Sequence, residues 1–191
     1  MKHPIANRRI DSRLSEGKQV GTLYHWTTMD GCNGILSSNA FHGGRDAYTA
    51  GALSFTRDKD PNFWQGGKHV WRFTMDGDRI SDRFKIGPYA DWLLLFTRSR
   101  GRSESEEQVM LPPGKKLAPL SRYVFNLEWH GGGMDLDGAQ EIVDAVNELG
   151  GDTNKAQREY GWAPLFIDQA YSVIECLRLA EMRGIEVEDE H

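Results

Sequence analysis

The sequence predicts an α+β protein, with short β-strands through the first two thirds of the chain and helices after them. Three observations predict it. Between residues 20 and 130, apolar and β-branched residues alternate over short runs such as Thr22–Thr27 and His69–Thr74. Twenty-one glycines, about 11% of 191 residues against a usual ~7%, cut these runs into many short elements. Beyond Gly133 the period changes. Ile142, Val143, Val146 and Leu149 fall at helical spacing, as do Phe166, Ile167, Ala170, Val173, Ile174 and Leu177. The chain therefore divides into a basic arm (1–20), a β-rich core (21–130) and a helical C-terminal region packed on that core (131–191).

The arm carries Lys2, Arg8, Arg9, Arg13 and Lys18 with no apolar stretch behind them, so it does not read as a targeting peptide. The first strand, Thr22–Thr27, turns Tyr24, Trp26 and Thr28 to one side and Leu23, His25 and Thr27 to the other. Asp30 is the expected cap of a short helix carrying Cys32, Ile35 and Leu36 up to Ser38-Asn39. Phe41–Gly51 reads as a loop containing Tyr48. Leu53–Thr56 is the second strand, ending at Arg57-Asp58. A turn at Asp60-Pro61-Asn62 and a loop with Phe63 precede the third strand, His69–Thr74. Asp76-Gly77-Asp78 reads as a turn and Ile80–Ile86 as a short strand. Trp92–Phe96 fits a strand or a buried helix. The basic loop Arg98–Ser103 leads into the acidic run Glu104–Gln108, then Val109-Met110-Leu111 and a stop at Pro112-Pro113-Gly114. A strand is expected over Leu120–Trp129, a hinge at Gly131–Gly133, helices ending at Gly150 and starting near Pro164, and a frayed acidic tail, Glu186–His191.

Composition bounds the function. With 39% hydrophobic residues, six Trp, six Tyr and eight Phe, the chain can bury a core and is not disordered overall. A net charge of −5 does not favour general nucleic-acid binding, so such contacts would need a local basic patch. Cys32 and Cys176 form no Cys-x-x-Cys unit and read as free thiols in a reducing, cytoplasmic setting. No apolar run approaches the ~20 residues that span a bilayer. His42, His69 and His130 lack metal-ligand spacing, so no metal is expected. The glycines form neither a phosphate loop nor a dinucleotide fingerprint.

Three polar clusters end three of the expected strands: His25 with Thr27; Ser54 with Thr56 and Arg57; and Glu104–Gln108. Each has an ordinary reading. A strand histidine can simply hydrogen-bond its neighbour, alternate Ser and Thr suit an edge strand, and a glutamate run can be a solvated edge. The glutamate run, however, sits just before a segment that should be buried. Glu104, Glu106 and Gln108 share one face at period two, and carboxylates gathered in that way mark functional-site candidates.

In order, Tyr-His-Trp-Thr, then Leu-Ser-Phe-Thr-Arg, then Glu-Ser-Glu-Glu-Gln-Val-Met-Leu-Pro-Pro-Gly, these residues resemble the ADP-ribosyltransferase superfamily, of bacterial or phage type, over about residues 21–118. The resemblance implies a split β-sheet core with short helices that holds NAD in a cleft. It implies that His25 binds the adenosine ribose with support from Thr27, and that Ser54 and Thr56 line the nicotinamide pocket and brace the catalytic glutamate. Arg57 would approach the pyrophosphate, and Phe55, Tyr48 and Phe63 would stack on nicotinamide. Glu106, paired with Glu104, is the expected catalytic carboxylate, with Glu107 taking that place if a bulge turns it inward. A histidine in the first motif with Ser-x-Thr in the second is a mixed pairing, and strict alignment of the Pro-Gly ending puts Gln108 at the catalytic position.

The implied reaction is mono-ADP-ribosyl transfer from NAD to a protein or nucleic acid with release of nicotinamide, as in many toxins. Arg98, Arg100 and Arg102 would face the acceptor and could grip a phosphate backbone. NAD hydrolysis or NAD-dependent removal of an RNA phosphate on the same fold is the first rival. A non-catalytic binding or virion-type protein is the second.

Overall fold

The structure, a computed structural model, describes residues 19–43, 52–59, 69–88, 106–112, 114–131 and 133–189. Tyr48, Phe63, Glu104, Arg98, Arg100, Arg102, the apolar run 92–96 and all but the last two residues of the basic arm lie outside them. The described chain is α+β, with a mixed seven-stranded sheet, a two-stranded sheet and five helices.

Strand β1 (Thr22–Thr27) lies at the centre, with β3 (Ala52–Thr56) on one side and β4 (Trp71–Asp76) on the other. Outward from β3 come β6 (Glu106–Met110) and β5 (Lys85–Pro88); outward from β4 come β8 (Val124–Trp129) and β9 (Glu186–Asp189). Every pairing is antiparallel except β8 with β9. Strands β2 (Phe41–His42) and β7 (Lys116–Leu117) form the small sheet. One hydrophobic cluster joins the apolar face of the large sheet (Leu23, Phe55, Phe73, Val109, Leu127, Trp129) to the inner sides of α1 (Met29–Ser38), α3 (Leu136–Glu148) and α5 (Pro164–Met182).

Several boundaries differ from the sequence expectation. Thr28, not Asp30, caps α1: its backbone is extended and its hydroxyl accepts from the Gly31 amide at 3.1 Å. The helix starts so close to β1 that a Cβ on Gly31 would lie 2.0 Å from Thr27 Oγ1, which requires glycine there. Asp76-Gly77-Asp78 is not a bare turn and Ile80 opens no strand. Asp76 caps α2 (Gly77–Ser81), Ile80 is buried beneath it, and the strand begins only at Lys85. Asp78 also accepts the Val20 and Gly21 amides, which pins the chain as it enters β1 and lowers the carboxyl pKa. Leu120–Arg122 is a 3₁₀ turn, so β8 starts later than expected; the Asn39 side chain accepts the Leu120 amide at 3.0 Å.

Helix α4 (Thr153–Tyr160) has no apolar stripe to announce it and buries only Ala156. It is held by the Asp152 cap and by Gly161 in the left-handed region at φ 73°. The acidic tail is not frayed over residues 186–189, which pair with β8. Its acids find donors: Glu188 accepts from Asn126 at 2.8 Å and Asp189 from the Leu136 amide at 2.8 Å.

The opposite face of the sheet is polar at its middle. Arg72 is fully buried and ion-paired with Glu128, whose other oxygen accepts the Thr74 hydroxyl at 2.7 Å. The guanidinium sits 5.4 Å from the Tyr24 ring centre and 5.3 Å from that of Trp26, and donates to the Lys59 carbonyl at 3.1 Å. Arg72→Met strands the Glu128 carboxylate and should lower stability by about 3–5 kcal/mol in urea unfolding. The double variant Arg72→Met/Glu128→Leu should recover most of that loss, because no buried charge is left alone.

Candidate functional site

Two registers decide which polar side chains meet. Tyr24 is opposite Thr56 across β1 and β3, and Thr56, Phe55 and Ser54 are opposite Glu106, Glu107 and Gln108 across β3 and β6. Residues directly opposite each other share a face. Ser54, Thr56, Gln108 and the backbone position of Glu106 therefore lie on the polar face with Tyr24 and Trp26. His25, Thr27, Phe55 and Glu107 lie on the other. The three sequence clusters thus reach three adjacent strands, β6, β3 and β1, but divide between two faces.

On the second face Glu107, Phe55 and His25 form one row. The His25 ring meets Phe55 edge-on with centres 5.7 Å apart and Phe41 at 5.1 Å. His25 Nδ1 lies 3.0 Å from the Ser54 carbonyl oxygen. A carbonyl only accepts, so Nδ1 carries a proton, and in the neutral ring Nε2 keeps the lone pair. Burial, which disfavours the imidazolium, lowers the pKa; the Ser54 hydrogen bond opposes this and the charge of His69 adds to it. Glu107 is 4% exposed, and its Oε1 accepts from Arg57 Nε at 2.7 Å; the Arg57 side chain is 43% exposed.

Several expectations change at this point. Arg57, expected at a pyrophosphate, is paired with Glu107. Phe55 is 2% exposed and packed in the core, so it is not a surface on which a ring can stack. The Thr56 hydroxyl accepts the Asp58 amide at 3.0 Å and shapes the turn after β3. No bulge interrupts the β3–β6 register, yet Glu107 faces the His25 side without one. The signal was present in the sequence: stepping back by two from buried Val109 lands on Glu107, not Glu106. Among the described residues no group of three or more His, Cys, Asp or Glu side chains is placed to hold a metal ion. No helix among them is long and apolar enough to cross a membrane.

No protein-family model, curated protein or solved structure matches the chain.

The depressed His25 pKa fixes the sign of a pH effect. The unfolded chain binds this proton at its ordinary pKa and the folded chain only at lower pH, so folding stability falls as pH drops below about 6.5. His69, also lowered by burial, adds to the same trend. His25→Gln should flatten the loss of stability between about pH 7 and 5 relative to the parent protein, measured by urea unfolding at each pH.

Proposed function

We propose that this protein is an NAD-dependent mono-ADP-ribosyltransferase that moves ADP-ribose to a macromolecular acceptor and releases nicotinamide. The observation that carries this reading is the Glu107–Phe55–His25 row. It sets a buried carboxylate and a neutral imidazole on one face of three neighbouring strands, each bearing one of the sequence motifs.

In this reading Glu107, in place of Glu106, is the catalytic carboxylate. Cleaving the bond between ribose C1′ and the nicotinamide nitrogen builds an oxocarbenium-like cation. A fixed carboxylate hydrogen-bonded to the ribose 2′-hydroxyl stabilises that charge. The nicotinamide leaves as a neutral pyridine, so it needs no proton from a general acid. His25 Nε2 accepts a hydrogen bond from a ribose hydroxyl of NAD. Arg57 orients the carboxylate from the solvent side, where its half-exposed guanidinium also suits the pyrophosphate. The acceptor then attacks C1′ and loses its proton. Tyr48 and the Arg98, Arg100 and Arg102 loop keep their proposed roles in cofactor stacking and acceptor binding. The resemblance supplies those roles.

The test is NAD turnover by the pure protein, read by mass spectrometry with DNA, RNA or cell lysate as acceptor source. Glu107→Gln should lower the rate of nicotinamide release roughly 10²–10³-fold, the scale for loss of a positioned electrostatic stabiliser. Glu106→Gln should leave it within a few-fold. The reverse pattern would move the catalytic role to the polar face, and an untouched NAD pool in every mixture would overturn the reading.

A further inference from the structure

A concave region lies toward the other end of the sheet, where β8 runs into α3. It is a cleft of about 580 Å³, within the ~300–1,000 Å³ common for ligand sites. Its walls include the rings of Trp162 and Phe166, the carboxylate residues Asp135, Glu141 and Asp189, and His130. Among the described residues no lysine or arginine lines it. Strand β8 is four positions from β6 in the sheet order, which at ~4.8 Å per strand is roughly 19 Å. The cleft therefore lies well away from Glu107, while β1, which carries His25, is two positions from β8.

Its surroundings fix the walls. Trp129 crosses beneath the β8–α3 loop and donates from Nε1 to the Met134 carbonyl at 2.7 Å. A Cβ on Gly131 would lie 1.8 Å from that indole, so the loop passes directly over the ring. Asp135 and Asp189 accept the Gly138 and Leu136 amides, at 2.6 and 2.8 Å, which holds both carboxylates in place at the start of α3. Glu141 is exposed, one turn further along α3. Trp162, half-buried, stacks on exposed Tyr160 with ring centres 4.6 Å apart at 24°, so its orientation is fixed from outside.

Aromatic faces attract a cation through the ring quadrupole, and carboxylates add charge and hydrogen-bond acceptors. A flat, weakly hydrated guanidinium matches both better than a compact ammonium does. We propose that this cleft binds an alkyl guanidinium, with the planar cation against Trp162 and Phe166 and its N–H groups directed to Glu141. Nothing in this depends on NAD chemistry at the Glu107 row.

Two sources could supply the group, a free guanidine or an arginine side chain in a polypeptide, and both can be presented to the full chain. Isothermal titration would use agmatine for the first and Nα-acetyl-arginine methylamide for the second. The uncharged citrulline derivative serves as control. Saturable binding of either guanidine is expected, with the citrulline derivative at least about tenfold weaker, as for loss of a charge-assisted hydrogen-bonding group. Preference for agmatine points to a small molecule; preference for the amide points to a polypeptide. Glu141→Gln, at an exposed helix position that should not disturb folding, and Trp162→Leu should each weaken binding by about tenfold or more. Absence of saturation at about 10 mM, a Kd on the scale of negligible affinity, would overturn the proposal. So would equal binding of citrulline, or unchanged affinity in both variants with the parent circular dichroism.

Discussion

Everything in this fold hangs on the register of β1 between β3 and β4. Six consecutive pairs tie β1 to β4, from Thr22 with Asp76 to Thr27 with Trp71, and Tyr24 with Thr56 ties it to β3. Alternation then leaves no freedom: Leu23, Phe73, Leu127, Phe55 and Val109 all go to the apolar face. A slip of one residue would put Ser54 in the core and Phe55 among the polar side chains. His25 and Glu107 are carried inward by the same constraint. Two polar groups enter an apolar row because of where they fall in the count. Each then finds a local partner, His25 in the Ser54 carbonyl and Glu107, through Oε1, in Arg57.

Much of this was legible in the sequence. The α+β character, the alternation of β1, β3 and β4 and the helical spacing of Ile142–Leu149 follow from apolar periodicity alone, whereas Phe41–His42, expected in a loop, forms β2. Features set by single hydrogen bonds were not. Thr28 and Asp30 are both good caps, and the choice falls to Thr28 because β1 ends one residue before it. Helix α4 depends on Asp152 and Gly161, since its residues carry no apolar stripe. The tail looked too acidic to order, yet Glu188 and Asp189 meet donors on β8 and α3 that are far away in sequence.

The candidate site was half legible for the same reason. Residue types and their order along the chain picked out His25, Ser54, Thr56 and the glutamate run. Their division between faces is a property of pairing, and pairing is long-range. Glu106 keeps step with Glu104 along the sequence. Val109, whose burial is the stronger constraint, keeps step with Glu107. Hydrophobic burial of a strand outweighs the pattern of its polar residues, because the apolar residues set the register and the polar ones adapt. The Arg57–Glu107 pair, fifty positions apart, is one such adaptation.

The charges around the row also bear on the proposed chemistry. Glu107 is nearly enclosed while Arg57 is half exposed, so the anion sits in a weakly screened environment and its cation in a better screened one. Burial lowers the His25 pKa, which favours an acceptor nitrogen in the row over a second buried cation. For a reaction whose transition state places positive charge on a ribose, that balance matters. A protonated imidazole two strands from the carboxylate would oppose the developing charge, whereas a neutral one leaves the carboxylate's field intact. The phenylalanines around His25 therefore bear on the electrostatics as well as the packing: the burial to which they contribute lowers the imidazole's pKa.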